Sequence, residues 1–223
     1  MNKPPQKTEI LESLFHTPTE ASRQVFYCVF RAGHLISGED YRKAHPNYPG
    51  HKLLLCLKGN GFVKVNNRDW SVSPGNIAWI FRGDDNSHWP AKGSPWEMFW
   101  IRVDGPQMDE IYRILTSGGS PVFSGVNNLK AAAIYKRIFT ILKKRPIAME
   151  AALHGEVALL INQLFEGRHE ANPTSASNIP QSLRKPLEAM RLKYDQQLTV
   201  TELAKMAGMS VSSFHRQFKA ATG

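Results

Sequence analysis

Little in this sequence supports covalent or redox chemistry. Two cysteines, Cys28 and Cys56, stand among 223 residues, which is neither a disulfide framework nor a zinc-binding spacing. Cys56 lies inside an apolar run and reads as a small core residue. The eight histidines are scattered. None forms an H-x-H pair with a glutamate downstream at ligand spacing. There is no G-x-S-x-G, no phosphate-cradling glycine loop and no close Ser/His/Asp cluster. The expectation is therefore no catalytic residue, no metal and no cofactor. No run approaches the roughly 18 apolar residues of a membrane span. The first residues, M-N-K-P-P-Q-K-T-E-I, carry no apolar signal core. These two absences point to a cytoplasmic protein with no membrane partner.

Acidic residues are in the minority. Asp plus Glu number 19 against 28 Lys plus Arg, a formal net charge of +9. The excess is uneven: residues 171–223 hold 7 basic and 3 acidic groups, whereas residues 1–126 hold 14 and 12. Positive charge concentrated on a short C-terminal stretch favours a polyanion partner, with a solvated basic surface as the alternative.

The chain divides by texture. Residues 1–22 are polar with an apolar patch at Ile10–Leu11 and Leu14–Phe15, and Pro4, Pro5 and Pro18 argue against a long helix. This segment reads as a loose arm or as a piece that packs late onto the body. From Val25 to Val103 short β-branched and aromatic runs alternate with Gly33, Gly38, Gly59-Asn60-Gly61, Asn66-Asn67, Pro74-Gly75 and a polar loop at residues 83–86. Strands punctuated at such intervals predict an antiparallel sandwich or barrel. Beyond Gly105 the apolar period lengthens towards 3.6. Met108 to Leu115, Leu129 to Leu142 and Ala148 to Phe165 read as amphipathic helices. The last two can cover the β unit or pair with a second copy of the chain, and patterning does not separate these. Residues 170–182, E-A-N-P-T-S-A-S-N-I-P-Q-S, read as a linker. The expected domains are thus 1–169, a linker at 170–182, and 183–223. The fold class is α+β: an antiparallel β-barrel with following helices, then a small all-α unit.

That all-α unit carries two helix starts in succession. Thr199 and Glu202 have capping-box spacing, Gly208 sits where a helix end needs positive φ, and Ser210 can cap the next helix. Phe214 and Phe218, four apart, share one side of that helix. The plan is helix, glycine turn, helix. Ser212, Ser213, His215, Arg216 and Lys219 lie away from the phenylalanines. Short hydroxyls let a base edge approach, an arginine can reach guanine O6 and N7 together, and Lys219 suits a phosphate. These five are the candidate contacts to double-stranded DNA.

The run T-V-T-E-L-A-K-M-A-G-M-S-V-S-S-F-H-R-Q-F-K-A-A-T-G closely resembles the first helix-turn-helix of AraC/XylS-type transcription regulators. That resemblance implies a DNA-binding unit of two such motifs, and the sequence ends at Gly223, where the connection to the second would begin. The expectation is a fragment or a shortened frame with one motif. Residues 32–105, from A-G-H-L-I-S-G-E-D-Y-R through S-P-G-N and H-W to W-E-M-F-W-I-R-V-D-G, resemble more loosely the cupin-type sensor domain of the same family. In its arabinose-responsive type a sugar stacks on a tryptophan in the barrel and an N-terminal arm folds over it. By motif Trp100 falls at that tryptophan, Met98 at a polar neighbour, His45 near an arginine position, and Trp89 where a tyrosine would lie.

On strand alternation Trp96, Met98, Trp100 and Arg102 share one face while Glu97, Phe99, Ile101 and Val103 share the other. Both faces are largely apolar, so one should meet a barrel interior and the other the helices. Each tryptophan is either a stacking surface for a small molecule or plain core. The candidate ligand contacts are Arg42, His45, Trp79, His88, Trp89, Trp96, Met98 and Trp100. The resemblance implies a ligand-responsive regulator: a small-molecule inducer of sugar type in the barrel, DNA on the helix-turn-helix, and a homodimer through helices 129–142 and 148–166. Two other readings stand beside it, a sensor and dimerisation module without independent DNA binding, and a cupin-like enzyme or sugar-binding protein.

Overall fold

A computed structural model describes residues 7–38, 41, 43–44, 50–65, 67–81, 87–117, 119–171, 180–193 and 196–222. The chain separates into two compact units, residues 1–171 and 172–223.

The first unit opens with β1 (Glu9–Phe15), the short helix α1 (Glu20–Val25) and β2 (Cys28–Ser37). Then follow β3 (Lys43–Ala44), β4 (His51–Lys58), β5 (Gly61–Val65), β6 (Arg68–Val72), β7 (Ile77–Ile80), β8 (Ser87–Pro90) and β9 (Trp96–Asp104). Helix α2 (Met108–Thr116), β10 (Val122–Phe123), α3 (Asn128–Lys144) and α4 (Met149–Ala171) complete it. The strands form two antiparallel sheets. The larger has the order β1-β2-β9-β4-β7-β10 and the smaller β3-β8-β5-β6. Among the described residues no ladder joins them, so the expected barrel is two open sheets packed face to face.

Alternation sorts the side chains of this sandwich. Leu35, Leu54, Cys56, Ala78, Trp96 and Met98 of the large sheet pack with Val63, Val65 and Val72 of the small one. The other face of the large sheet, with Val29, Leu53, Leu55, Phe99, Ile101 and Val103, is covered by Ile134, Tyr135, Ile138 and Phe139 of α3 and Leu153, Val157 and Leu160 of α4. The two faces read from β9 thus meet the sheet interior and the helices as expected. Each large side chain buried this fully contributes about 1.5–3 kcal/mol by its area.

Of the two expectations for the N-terminal segment, the described residues follow the second, a piece packed onto the body, and they do so as a strand. Residues 9–15 pair with β2 along a ladder that includes Phe15↔Arg31 and Ser13↔Gly33. Apolar residues at alternate positions were too few to reveal a strand whose outer edge is solvated. Thr19 caps α1 and donates its backbone N–H to Glu150 Oε1 on α4 at 3.3 Å, where His16 Nε2 also lies at 3.3 Å. Hydrogen bonding from Ser22, with Thr19 and His16 behind it, holds the Glu150 carboxyl below the usual range. Lys143 Nζ of α3 meets Glu12 Oε1 at 2.5 Å. Gly33 does not break β2; it lies inside it. The expected polar loop at 83–86 lies outside the described residues.

The second unit comprises α5 (Gln181–Leu192), α6 (Val200–Met206) and α7 (Val211–Thr222). The expected linker 170–182 is helical at both ends, since α4 runs to Ala171 and α5 starts at Gln181; residues 172–179 lie outside the described ones. Leu183, Leu203, Ala204 and Phe214 form the small core, with Leu187, Met190 and Phe218 against it. The local signals act as read. Thr199 N donates to Glu202 Oε2 at 2.8 Å and Glu202 N to Thr199 Oγ1 at 3.3 Å, closing the capping box. Gly208 has φ +68°, the left-handed value a side chain resists. Ser213 N donates to Ser210 Oγ at 3.3 Å at the start of α7.

Candidate ligand and nucleic-acid sites

Between the sheets, Trp100 is the half-buried aromatic of β9. Its indole lies over β2 at Gly33, its ladder partner. A Cβ at Gly33 would meet the indole at 2.7 Å, so only glycine leaves room for the ring to lie there. Lys52 Nζ stands 5.4 Å from the ring centre and the Arg31 guanidinium 5.9 Å, both within cation–π reach. On the opposing sheet His88 is fully buried. Its Nε2 lies 2.9 Å from Lys52 Nζ and 3.2 Å from the Tyr41 hydroxyl. An ammonium can only donate, so Nε2 is the acceptor. Burial pushes the Tyr41 hydroxyl well above the usual phenol range. Arg102 Nη1 donates to the Gly50 carbonyl at 3.4 Å. The arrangement is an aromatic floor bordered by cations, able to stack a small molecule and bond its polar groups.

The sequence candidates divide. His88, Trp96, Met98 and Trp100 lie on the interior face, and Trp96 and Met98 are wholly buried there beside Val63 and Leu54. Gly61 makes room for Trp96, since a Cβ at that position would come within 2.4 Å of the indole. Trp79 lies on the other face of the large sheet, under α2: its Nε1 donates to His51 Nδ1 at 3.1 Å and its ring meets Tyr112 at 5.7 Å. The reason is register, because β4 and β7 turn Leu53 and Trp79 to the helix side together. Trp89 pairs with Phe62 and stacks on it at 5.9 Å, one alternation off the interior position His88. Neither Trp79 nor Trp89 therefore joins the interior group. Arg42 and His45 lie outside the described residues.

Three interior residues escaped the sequence reading, Arg31, Tyr41 and Lys52, and a fourth, Arg102, was placed on the right strand face but not counted among the ligand contacts. Arg102 was legible, being two residues from Trp100 on the same strand face. Lys52 was hidden by the nearly continuous apolar run that follows it. No ligand role follows for the cysteines. Burial pushes both thiols up to about 11, so neither is a ready nucleophile. Among the described residues no three His, Cys, Asp or Glu side chains are grouped to hold a metal ion.

On α7, Phe214 is buried and stacks on Phe218 at 5.4 Å. Ser212, His215, Arg216 and Lys219 are exposed, and Ser213 is half-buried, with Gln217 Nε2 3.5 Å from its Oγ. One side of the helix is thus apolar and anchored while the other offers cations and a hydroxyl to solvent. Among the described residues no helix is long and apolar enough to cross a membrane.

Comparison with known proteins bears on both units. Residues 36–159, more than half of the chain, match the AraC-like ligand binding domain, and residues 190–223 match the bacterial regulatory helix-turn-helix proteins of the AraC family. The MmsAB operon regulatory protein of Pseudomonas aeruginosa is 26% identical over 77 residues, 33% of this chain. The aligned region spans 25% of that relative's length. A cupin superfamily protein of Desulfitobacterium hafniense aligns at 10% identity over 47% of this chain and 84% of its own, with a TM-score of 0.34. The Cnp3 cupin domain of Schizosaccharomyces pombe aligns at 14% identity over 50% and 74%, with a TM-score of 0.35. On the two family matches, the chain belongs to the AraC family, with an AraC-like ligand-binding domain followed by a helix-turn-helix of that family.

Proposed function

We propose that this protein is a ligand-responsive transcription regulator that binds double-stranded DNA through α7 and a small molecule of sugar type between its sheets. The observation that carries the reading is the exposed face of Ser212, His215, Arg216 and Lys219 on a helix anchored by Phe214. Arg216 reads a base edge, Ser212, Ser213 and His215 lie beside it, and Lys219 holds phosphate. The interior group around Trp100 and His88 receives the inducer, whose ring stacks on the indole. The protein works in the cytoplasm and catalyses no reaction.

A homodimer through helices 129–142 and 148–166 belongs to this reading. Most apolar residues of both helices lie in the core beneath them. Leu159, 51% exposed, with the exposed Gly155 and Ala151 one and two turns before it, leaves an apolar strip on the outer side of α4. Leu159→Glu is expected to shift sedimentation towards monomer; an unchanged dimer would place the contact elsewhere.

DNA binding by the full chain tests the principal claim. Arg216→Ala is expected to cost about 1–3 kcal/mol on a preferred site and to relax preference, while Lys219→Ala weakens all DNA alike and lowers the salt slope by about one. Equal losses on preferred and random DNA from both variants would remove the assignment.

A further inference from the structure

Positive charge in the helical unit is not centred on α7. That helix exposes two cations, Arg216 and Lys219, and α6 exposes Lys205. Helix α5 exposes Arg184, Lys185 and Arg191, with Lys193 at its C-cap. Lys193 is occupied: behind the Thr199 hydrogen bonds, its charge helps to hold the Glu202 carboxyl of the capping box below its ordinary value. The other three are not. In the sheet unit Lys58, Arg113, Arg137 and Lys143 each meet a glutamate. Among the described residues no acid pairs with Arg184, Lys185 or Arg191. Helical spacing arranges them. Leu183 and Pro186 are buried, and Leu187 and Met190 pack against the same core. Arg184 and Arg191, seven apart, therefore lie in one line on the flank of α5, with Lys185 on the side away from the core. Glu188 stands one turn from each arginine and pairs with neither. Seven residues of helix put the two guanidinium groups about 10 Å apart along the axis.

We infer that α5 is a phosphate-holding surface, with Arg184, Lys185 and Arg191 on the DNA backbone along an edge of the groove that α7 enters. The inference rests on the DNA-binding reading above and adds a second element to the same interface. Leu183 of α5, Leu203 and Ala204 of α6, and Phe214 of α7 share one core. Packed helices lie about 8–10 Å from axis to axis, and the major groove is about 12 Å wide. With α7 in the groove, a helix one packing distance away stands over its edge, where the phosphates run. Those of one strand rise about 3.4 Å apiece, so cations spread over about 10 Å meet two or three of them. Such contacts need charge and reach and carry no sequence information. Each neutralised phosphate adds about 0.9 to the slope of log affinity against log salt. With Arg216 on a base, α6 and α7 leave Lys205 and Lys219 for phosphate, a slope of about 2. Three more contacts from α5 raise it to about 4.5.

Fluorescence anisotropy of the full chain on a random-sequence duplex, at salt from about 50 to about 200 mM, tests this. Across that range the unaltered chain is expected to lose about 500-fold in affinity, and the triple variant Arg184→Gln/Lys185→Gln/Arg191→Gln about 12-fold. A charge-matched variant of the sheet unit, Lys92→Gln/Lys130→Gln/Lys136→Gln, is expected to keep the original slope. Glu188→Gln acts with the opposite sign, tightening binding to every duplex alike. All the substituted side chains are exposed, and circular dichroism establishes that the variants fold. If the triple variant does not fold, Glu188→Gln decides: tighter binding supports the α5 surface and unchanged binding overturns it. An unchanged slope in a folded triple variant, with Lys219→Ala still lowering it by about one, overturns the α5 surface and leaves the DNA-binding reading standing. Equal loss of slope in both triple variants also overturns it, by making net charge alone responsible. No binding by the unaltered chain at about 50 mM salt removes the surface and the DNA-binding reading together.

Discussion

In residues 7–171 the cations of interest, Lys52 and Arg102, are buried between two sheets, whereas in residues 180–222 His215, Arg216 and Lys219 stand in solvent on a helix whose other side holds Phe214. The difference follows from core size. The sheet unit buries two clusters, one between the sheets and one under α3 and α4, and this leaves enough apolar burial to offset the desolvation of charges in its interior. The core cluster of the helical unit is four buried residues among those described, Leu183, Leu203, Ala204 and Phe214. A core so small cannot absorb an internal charge, so its chemistry faces outward and its geometry depends on caps and a turn.

That contrast can be broken most severely at Phe214. Replacing it with alanine removes the buried ring of the small core at about 3–5 kcal/mol. The helical unit is expected to unfold and DNA binding to vanish, while the melting transition and ligand response of the sheet unit persist. Two-dimensional NMR of the variant distinguishes this from collapse of both units. A single substitution should be less damaging in the larger unit. Gly33→Ala drives a methyl into the Trp100 indole, an overpacking of about 1–3 kcal/mol. The sheet unit should still fold, with altered tryptophan fluorescence and no ligand response, and DNA affinity without ligand should be unchanged. Thr199→Ala opens the capping box and costs the helical unit about 0.5–2 kcal/mol, read as a lower midpoint of that unit alone.

A smaller effect of opposite sign is expected at Tyr135. Its hydroxyl is fully buried without a hydrogen-bond partner among the described residues, and burial drives its pKa upward. Tyr135→Phe removes that unmet donor and should stabilise the sheet unit by about 1 kcal/mol in denaturant titration. The smallest expected effect is on pH. The Thr199 backbone N–H, with its hydroxyl, holds the Glu202 carboxyl below its ordinary value. A carboxyl depressed by folding adds stability above its unfolded pKa and loses it as pH falls through the folded one. The helical unit should therefore weaken slightly below the ordinary carboxylate range, and Glu202→Gln should flatten that slope. Glu150 is depressed in the same direction in the sheet unit, by Ser22. Both units thus lose stability towards acid, and an acid-insensitive helical unit would contradict the capping account.

The sequence was most legible where structure is local. Thr199, Glu202, Gly208 and Ser210 act within a few residues of themselves, so the helix-turn-helix and its exposed face could be read directly. The two faces of β9 were legible for a similar reason, because alternation is a property of one strand. Trp79 and Trp89 were not: which face a tryptophan takes depends on which strand lies beside it. The strand at residues 9–15 was missed because its partner, β2, is the evidence for it.

What the amino-acid sequence determined by itself was therefore the division into a β-rich unit and a basic helical one, the capped turn, and the polarity of α7, all set by short-range periodicity and backbone preference. Only the tertiary structure decided that Arg31, Arg102 and Lys52, up to 71 positions apart in the chain, stand in one row beside Trp100. Neighbours across a sheet are chosen by strand order and register, and these come from the packing of two whole sheets rather than from any one strand.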